Sequence, residues 1–439
     1  MSKSSANEPV LEQTALFPGL VDIVLDDNGR TCFLMDDGET APQRKQGNDE
    51  PTLVPPRRDK LKWNVPHISP VKLYYDRLCQ GHESPQHLFE VVRKRLAKHS
   101  SLPTDDYYDL LTAWVFHTYR QDWLRFSPII FLFGVAERGK SRTGEALAHL
   151  SYRGKVQVST NEAPLFRLAS LAQPTFFLDV ERFNKQVEKK NLGEILLARA
   201  ERGRNIDRCT DPAEVGWDGL KSFDIFGPTV VATNEKPRSA PLLSRGLFIV
   251  MPATITHYPP VDPYMLLPFR EWLTAWRWWT MTRGQKLKAD VPGHKWGRWR
   301  DITQPLRQIT TMVAPDRLPN VDRALEDQYG ARQEEKSETV AAYIIRAVIE
   351  LVSADELMRE GRGRLTTEQI KERFSTLIGW ERVGAQIVGE HLRSLRFERT
   401  KMDGGNRRGW TFTTELLEEL KNEYDLSDDG RGADARTDA

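Results

Sequence analysis

At 439 residues the chain is two to three times the length of an ordinary domain, so several cores are expected rather than one. Apolar residues make up 39% and charged residues 28%, which excludes a disordered chain, and the longest apolar stretches, around 128–135 and 246–253, fall short of the roughly 18 residues of a spanning helix. Lys plus Arg is 63 against 62 for Asp plus Glu, so any contact with nucleic acid must come from local patches.

Residues 1–18 are polar and read as loose. Residues 21–25 and 30–35 are β-prone runs around Asp26-Asp27-Asn28-Gly29, a hairpin signal read as a small amino-terminal appendage. Residues 36–70 are rich in Pro, Gly and charge and read as a linker or surface arm, so 1–70 form the first segment. A helical lead-in over 71–120 follows. Leu88, Val92 and Leu96 share one face, and Tyr107, Leu110, Leu111, Trp114, Val115 and Thr118 mark a second helix capped by Thr104-Asp105. Residues 128–133 form a continuous apolar run that suits a strand buried in a parallel sheet. Further strand patterns at 156–159, 175–179, 229–233 and 247–251 alternate with helical ones, which predicts an α/β core over 121–257.

Residues 258–335 read as a helical lid carrying Trp272, Trp276, Trp278, Trp279, Trp296 and Trp299, which serve either internal aromatic packing or a stacking platform for bases. Residues 336–415 show three helical patterns (339–352, 366–377, 384–395), then strand patterns at 396–402 and 409–413 around Gly404-Gly405, the order of a winged helix. Residues 416–439 are a helix end and, from Ser427, a tail expected to be disordered. The polar start without an apolar signal core, and three cysteines (Cys32, Cys79, Cys209) without metal-ligand spacing, point to a cytoplasmic protein with no membrane contact.

Gly134-Val135-Ala136-Glu137-Arg138-Gly139-Lys140-Ser141 fits G-x-x-x-x-G-K-[ST] between a strand and a helix. In such a loop the glycines let backbone N–H groups wrap the phosphates of ATP. Lys140 reaches the β- and γ-phosphates, Ser141 ligates Mg²⁺, and Arg142 is a further nucleotide-binding candidate at the helix start. Asp179 ends the apolar run 175–179, where a carboxylate holds the magnesium water shell. The residue after it in hydrolysing ATPases is usually Glu; here it is Val180, with Glu181 one position later. Glu181 either orients the attacking water or is a surface carboxylate of a slow or inactive ATPase. Asn234 ends the run 230–234 and is a candidate to position that water, or else belongs to a plain turn. Arg245, in Leu242-Leu243-Ser244-Arg245-Gly246, either acts in trans on the nucleotide of an adjacent subunit or is an ordinary surface arginine.

In order and spacing these pieces resemble the AAA+ ATPases over residues 86–313. GVAERGKS, FFLDVE, VVATN and LLSRG stand for Walker A, Walker B, first sensor and arginine finger. More closely, YYDLLTAWVFHTYRQDWLRFSPIIFLFG and GRWRDITQPLRQIT look like the replicative helicase ATPases of phages and integrated mobile elements. LLSRG and the carboxyl-terminal winged helix are similar to those of minichromosome-maintenance-type helicases. The resemblance implies a P-loop NTPase with a parallel sheet and a helical lid. It also implies ATP and Mg²⁺, a hexameric homo-oligomer on single-stranded or forked DNA, and primase or polymerase partners.

By the same analogy Arg300 is a second-sensor candidate, with Arg298 equally near. Arg202, Arg204, Arg208 and Lys221, with Trp217 between, lie where such helicases project basic loops into the central channel; the alternative is a solvated helix end and hairpin. In the wing, Arg393, Arg396, Arg399, Lys401, Arg407 and Arg408 stand against Glu398 and Asp403, a patch for duplex or forked DNA or a protein-docking module. A nucleotide-gated loader, DNA-binding regulator or defence switch is the alternative that Val180 favours.

Overall fold

The computed structural model describes residues 10–45, 51–157, 162–189, 191–209, 219–287, 291–292, 297–355, 358–359, 361–378, 384–402, 407–424 and 426. The expectations for Trp217, Trp296, Asp403, the Gly404-Gly405 turn, residues 1–9 and the tail from Ser427 lie outside the described residues, as do the side chains of Arg407 and Arg408. The chain forms two compact units, Met1–Leu325 and Glu326–Ala439. Segments that the sequence separates at 70, 120 and 257 therefore share the first unit.

That unit opens with β1 (Val10–Glu12), β2 (Leu20–Leu25), β3 (Thr31–Met35), β4 (Thr40–Ala41), β5 (Arg44–Lys45) and β6 (Thr52–Val54). Helices α1 (Ile68–Cys79), α2 (Pro85–Ala97) and α3 (Asp106–Tyr119) follow. Ser84 caps α2 by accepting from the His87 N–H, with Pro85 pre-set at the first helical position. The core then runs β7 (Ile129–Phe133), α4 (Lys140–Leu150), β8 (Lys155–Gln157), α5 (Glu162–Ala172), β9 (Phe176–Asp179), α6 (Phe183–Lys189) and α7 (Leu192–Ala200). It continues through β10 (Ile206–Cys209), β11 (Leu220–Phe223), β12 (Thr229–Thr233), α8 (Ala240–Arg245), β13 (Gly246–Val250), α9 (Pro263–Thr282) and α10 (Arg298–Val313). No helix among the described residues is long and apolar enough to cross a membrane.

Five strands make an all-parallel sheet in the order β13-β7-β12-β9-β8. Ile129, Phe131, Phe176, Leu178 and Val231 are buried on the face covered by α5 and α7, which is why these strands read as continuous apolar runs. From β7 the chain crosses to the far edge at β8 and works back, then passes over β7 to β13. The loop after β7 thus sits where the strand order splits, the place where open α/β sheets bind ligands. Helix α4 lies very close to β9: a Cβ on Gly144 would stand 2.1 Å from the Phe177 ring.

The amino-terminal hairpin is not an appendage. All six residues of β2 are buried, and the Asp22 carboxylate meets Arg153 at 2.8 Å with both side chains at most 1% exposed. From α9, Arg277 donates to the carbonyls of Val21 (2.8 Å) and Leu20 (3.1 Å) and pairs with Asp122. Nor are residues 36–70 a free arm, since Leu53, Trp63 and Val65 pack into the hairpin's own core. A sequence rich in Pro and charge reads as a loop, but its few large apolar residues are spaced to cover the hairpin.

Three tryptophans of the lid are consumed by packing. Trp272 stacks on Tyr74 with ring centres 5.3 Å apart, Trp278 on Tyr75 at 3.7 Å, and Trp276 meets the edge of Phe116 at 4.9 Å. Of the two sequence readings, internal packing is the one observed for these three rings.

Helix α11 (Leu318–Ser337) crosses the division between the units. The second unit contains α12 (Val340–Asp355), β14 (Met358–Arg359), β15 (Arg362–Thr366), α13 (Thr367–Ile378), α14 (Ala385–Ser394), β16 (Glu398–Met402), β17 (Arg407–Thr413) and α15 (Thr414–Glu423). Its antiparallel sheet has the order β14-β15-β17-β16, and Leu365, Ile370, Phe374, Val388, Leu392, Trp410 and Phe412 form its core. Trp410 anchors the ribbon by donating its indole N–H to Thr367 Oγ1 at 2.9 Å.

Breaking the buried Asp22–Arg153 pair by Asp22→Ala is expected to cost about 3–5 kcal/mol, because an unpaired guanidinium is left in the core. Removing the exposed Lys60–Glu12 pair should cost less than about 1 kcal/mol; denaturant midpoints of the two variants check the contrast. Gly144→Ala should cost about 1–3 kcal/mol by overpacking α4 against β9, read as a lower melting temperature. Burial opposes ionisation of Asp122, but Arg277 and Arg120 outweigh it and hold its carboxyl down to about 2. Its contribution is therefore present above about pH 4 and lost as the pH falls towards 2, which acid titration of the melting temperature tests.

Candidate nucleotide site

The loop from Gly134 to Gly139 owes its shape to backbone conformations that ordinary residues avoid. Gly134 has φ 149°, Glu137 φ 66° and Gly139 φ 76°, and Gly139 delivers the chain into the first turn of α4. A helix that starts directly behind such a loop points unpaired N–H groups and its positive end into the concavity. Lys140 is largely buried and its ammonium donates to the Gly134 carbonyl at 2.8 Å and the Val135 carbonyl at 2.5 Å. Burial pushes its pKa below the ordinary lysine value, opposed by the nearby charge of Asp179.

Sheet register brings the other candidates to the same rim. Asp179 lies opposite Ala232, and Thr233 lies opposite Phe133, so Asn234 stands level with Gly134. Ser141 donates its hydroxyl to Asp179 Oδ2 at 2.6 Å, joining α4 to the end of β9. Glu145, one turn along α4, has its carboxyl raised by burial and by Asp179. Asn234 is exposed, and the turn behind it is tied down where Glu235 accepts from the backbone N–H of Asn184 at 3.1 Å. Arg142 is half-buried; its charge, with that of Arg95, adds to the burial that lowers the His99 pKa.

The residues after Asp179 split between environments. Val180 is 3% exposed and belongs to the core behind the sheet, with its N–H bonded to the Ala232 carbonyl, whereas Asp179 and Glu181 are both exposed. Position 180 thus offers no place for a carboxylate without burying its charge, and Glu181 is the acidic group left at the rim.

Arg245 lies at the other end of the sheet. Gly246 pairs with Ile129 and Val250 with Phe133, so Arg245 is separated from its own loop by the length of β13, about 13 Å at about 3.3 Å per residue. It is 7% exposed and directs its guanidinium at Pro241 O (3.2 Å), Ser244 Oγ (3.4 Å) and Glu201 Oε2 (3.5 Å). Glu201 also meets Arg204 at 2.7 Å, Arg298 at 3.6 Å and Arg125 at 3.9 Å. Arg298, one of the two second-sensor candidates, therefore sits with Arg245 and away from its own loop. Arg300 is half-buried on α10, which packs on α3, α2 and α8.

Of the basic residues expected to project as a loop, Arg208 and Lys221 do stand on a hairpin, paired across β10 and β11. Lys221 is exposed, 5.6 Å from the Phe223 ring centre, and Arg208 is half-buried over Phe166. Arg202 departs from the expectation. It donates to the carbonyls of Leu124 (3.0 Å) and Gln121 (2.6 Å) and lies 4.4 Å from the Phe226 ring centre, so it braces the loop before β7 instead of facing outward. Arg204 is half engaged with Glu201. In the second unit Arg393, Arg396, Arg399 and Lys401 are exposed; Arg396 pairs with Glu419 at 2.9 Å and Arg399 lies over Trp410.

Two residues that matter here escape the motifs. Gly144 carries the close approach of α4 to β9, signalled only as a glycine one turn into a helix. Glu201 sits among basic residues in the sequence, and nothing local indicates that Arg245 and Arg298 come to it from far along the chain.

No protein-family model matches the chain, and no curated protein matches it. Among solved structures it is similar to the active helicase Cch of SCCmec type IV, with 10% identity, 93% of this chain and 80% of that one covered, and a TM-score of 0.37. It is also similar to the apo carboxyl-terminal region of NrS-1 (10% identity, 89% and 95% covered, TM-score 0.35) and to Aeropyrum pernix ORC1 in complex with DNA (13%, 68% and 86%, TM-score 0.18).

Proposed function

We propose that the protein is an ATP-dependent DNA motor of the AAA+ type, a ring-forming replicative helicase of a phage or mobile element. One observation carries the reading: Lys140 and Ser141 open a helix behind a left-handed glycine loop, with Asp179 at 2.6 Å from the Ser141 hydroxyl on a neighbouring buried strand. A hydroxyl and a carboxylate are the hard oxygen donors that suit Mg²⁺, so the donor set fits a magnesium nucleotide. Held by Ser141 and Asp179, Mg²⁺ would supply charge neutralisation to the phosphates.

The chain's own residues divide the rest of the work. Loop N–H groups and Lys140 hold the phosphates, with Arg142 and, on the lid, Arg300 as further contacts. Asn234 and Glu181 orient the water that attacks the γ-phosphate, and the departing bond is the one to the β-phosphate oxygen. Arg245 stands too far from its own loop to serve it, which supports a role on the nucleotide of the next copy in a hexamer. Arg208 and Lys221 on the β10–β11 hairpin, joined by Arg204, follow one DNA strand through its phosphates. The second unit is read as a winged helix whose exposed Arg393, Arg396, Arg399 and Lys401, with Arg407 and Arg408, meet duplex or forked DNA. Primase and polymerase activities then come from partners.

Val180 favours a second reading, a nucleotide-gated switch or loader in which hydrolysis is slow, because the position following Asp179 is a core residue. Lys140→Ala is expected to abolish ATP turnover that single-stranded or forked DNA stimulates in the wild type. Glu181→Gln should lower kcat by at least about tenfold while ATP still binds. Turnover assays with and without DNA decide: negligible wild-type turnover on every DNA, with ATP bound, sinks the motor and leaves the switch.

A further inference from the structure

Four guanidiniums converge on one carboxylate at the end of the sheet remote from the glycine loop. Glu201 is fixed there by backbone: it forms an antiparallel bridge with Phe126, Ala200 O accepts from Ser127 N at 3.0 Å, and Arg202 N donates to Arg125 O at 2.8 Å. Its side chain is 11% exposed. The bonds it makes are unequal. Arg204 is at 2.7 Å, a full charge-assisted hydrogen bond, whereas Arg245 at 3.5 Å and Arg298 at 3.6 Å lie at or beyond the limit of one. Asp301 adds a second carboxylate at 3.5 Å from Arg298.

Arg245 is thus held in place with one donor to spare, since one guanidinium nitrogen already serves Pro241 O at 3.2 Å and Ser244 Oγ at 3.4 Å. Its Nε is buried and has no hydrogen-bond partner, and its side chain is only 9% exposed. A buried guanidinium with an idle N–H is costly unless some state of the protein supplies an acceptor. The acceptor must come from outside this chain's own loop, which is about 13 Å away or more along β13. Without Glu201 the charges of Arg204, Arg245 and Arg298 would repel one another across a partly buried space, and Arg245 would leave the position that its helix gives it.

We infer that Glu201 is a positioning residue: it gathers Arg245 and Arg298 into a preset anion receptor that takes the terminal phosphate of a nucleoside triphosphate bound to a second copy of this chain. The inference rests on the proposed ATPase reading and deepens it. Glu201 touches no substrate. It acts by fixing Arg245, so its loss is expected in kcat and not in the ATP affinity of the same subunit, whose loop is intact.

The test uses the full chain with Glu201→Gln, Glu201→Asp, Arg245→Ala and Lys140→Ala, measuring steady-state ATP turnover with saturating single-stranded DNA and without it, and melting temperature. E201Q is expected to lose at least about tenfold in kcat with KM for ATP within about twofold, and E201D, which keeps the charge, to recover part of the loss. Mixing E201Q with K140A in equal amounts places intact loops against intact arginine faces at roughly a quarter of interfaces, so the mixture should exceed either variant alone. That complementation is a readout a merely destabilised protein would not give.

An E201Q kcat equal to wild type overturns the inference, as does an E201D kcat no higher than that of E201Q, or a mixture no more active than its parts when E201Q melts like wild type. If Lys140→Ala and Arg245→Ala abolish turnover while E201Q does not change it, only the positioning role fails. If the wild type turns over no ATP on any DNA, or Lys140→Ala leaves turnover unchanged, the reading beneath it fails.

Discussion

A parallel sheet buried on both faces can carry chemistry only at its ends. Phe131, Leu178 and Val231 are wholly sealed, and a polar side chain at any of these positions would cost several kcal/mol without a partner. Charged and exposed polar side chains therefore stand at or beyond the strand ends, Asp179 and Asn234 beside the glycine loop, and Arg245 and Glu201 at the other end. Register then does what no single residue could: pairing Thr233 with Phe133 and Ala232 with Asp179 puts three distant segments on one rim. The close approach of Gly144 to Phe177 holds α4 down on β9, so the hydroxyl of Ser141 reaches Asp179.

Much of this was legible in the sequence because the signals are local. A glycine loop between an apolar run and a helical period, and a carboxylate ending a second apolar run, declare both element type and position. What stayed hidden depends on distant partners. Residues 21–35 announce a hairpin, but only Arg153, from beyond α4, and Arg277, from α9, make it part of the core, by supplying a charge to Asp22 and donors to the carbonyls of β2. Arg202 and Arg204 look alike in sequence, two basic residues in a polar run. One is spent on carbonyls of the loop before β7 and the other on a carboxylate, a difference set by the bridge between Phe126 and Glu201. The tryptophan-rich helix was ambiguous for the same reason, since stacking on Tyr74 and Tyr75 requires α1 beside α9.

The residue after Asp179 separates sequence pattern from physical environment most clearly. By pattern, Val180 replaces an expected acid. By environment, it is a core residue whose side chain helps seal the side of the sheet against α6 and α7, and the sheet would have to rearrange to admit a charge there. Past the end of β9 the next exposed position is Glu181, in the turn that follows. On the proposed reading the chain has not lost its water-orienting acid; it carries that acid one step further, beyond the last hydrogen bond of the strand, where the backbone is freer to bring it in. The cost is a less preset group, which is the physical basis for expecting modest turnover.

Arginine content at the opposite end obeys a similar trade. A guanidinium that must meet a phosphate cannot be saturated beforehand, yet an unsaturated one at an edge costs side-chain entropy each time it is ordered. Placing the Glu201 carboxylate at 3.5 Å from Arg245 and 3.6 Å from Arg298, while satisfying it with Arg204 at 2.7 Å, eases the conflict, because the carboxylate orients both guanidiniums without making a full hydrogen bond to either. Burial and the neighbouring arginines lower the Arg245 pKa, an unfavourable term that Glu201 opposes. An incoming phosphate would relieve it further. On the proposed reading, the end of the sheet that looks structural stores a poised electrostatic demand, answered by the terminal phosphate of a nucleotide held at the glycine loop of a second copy.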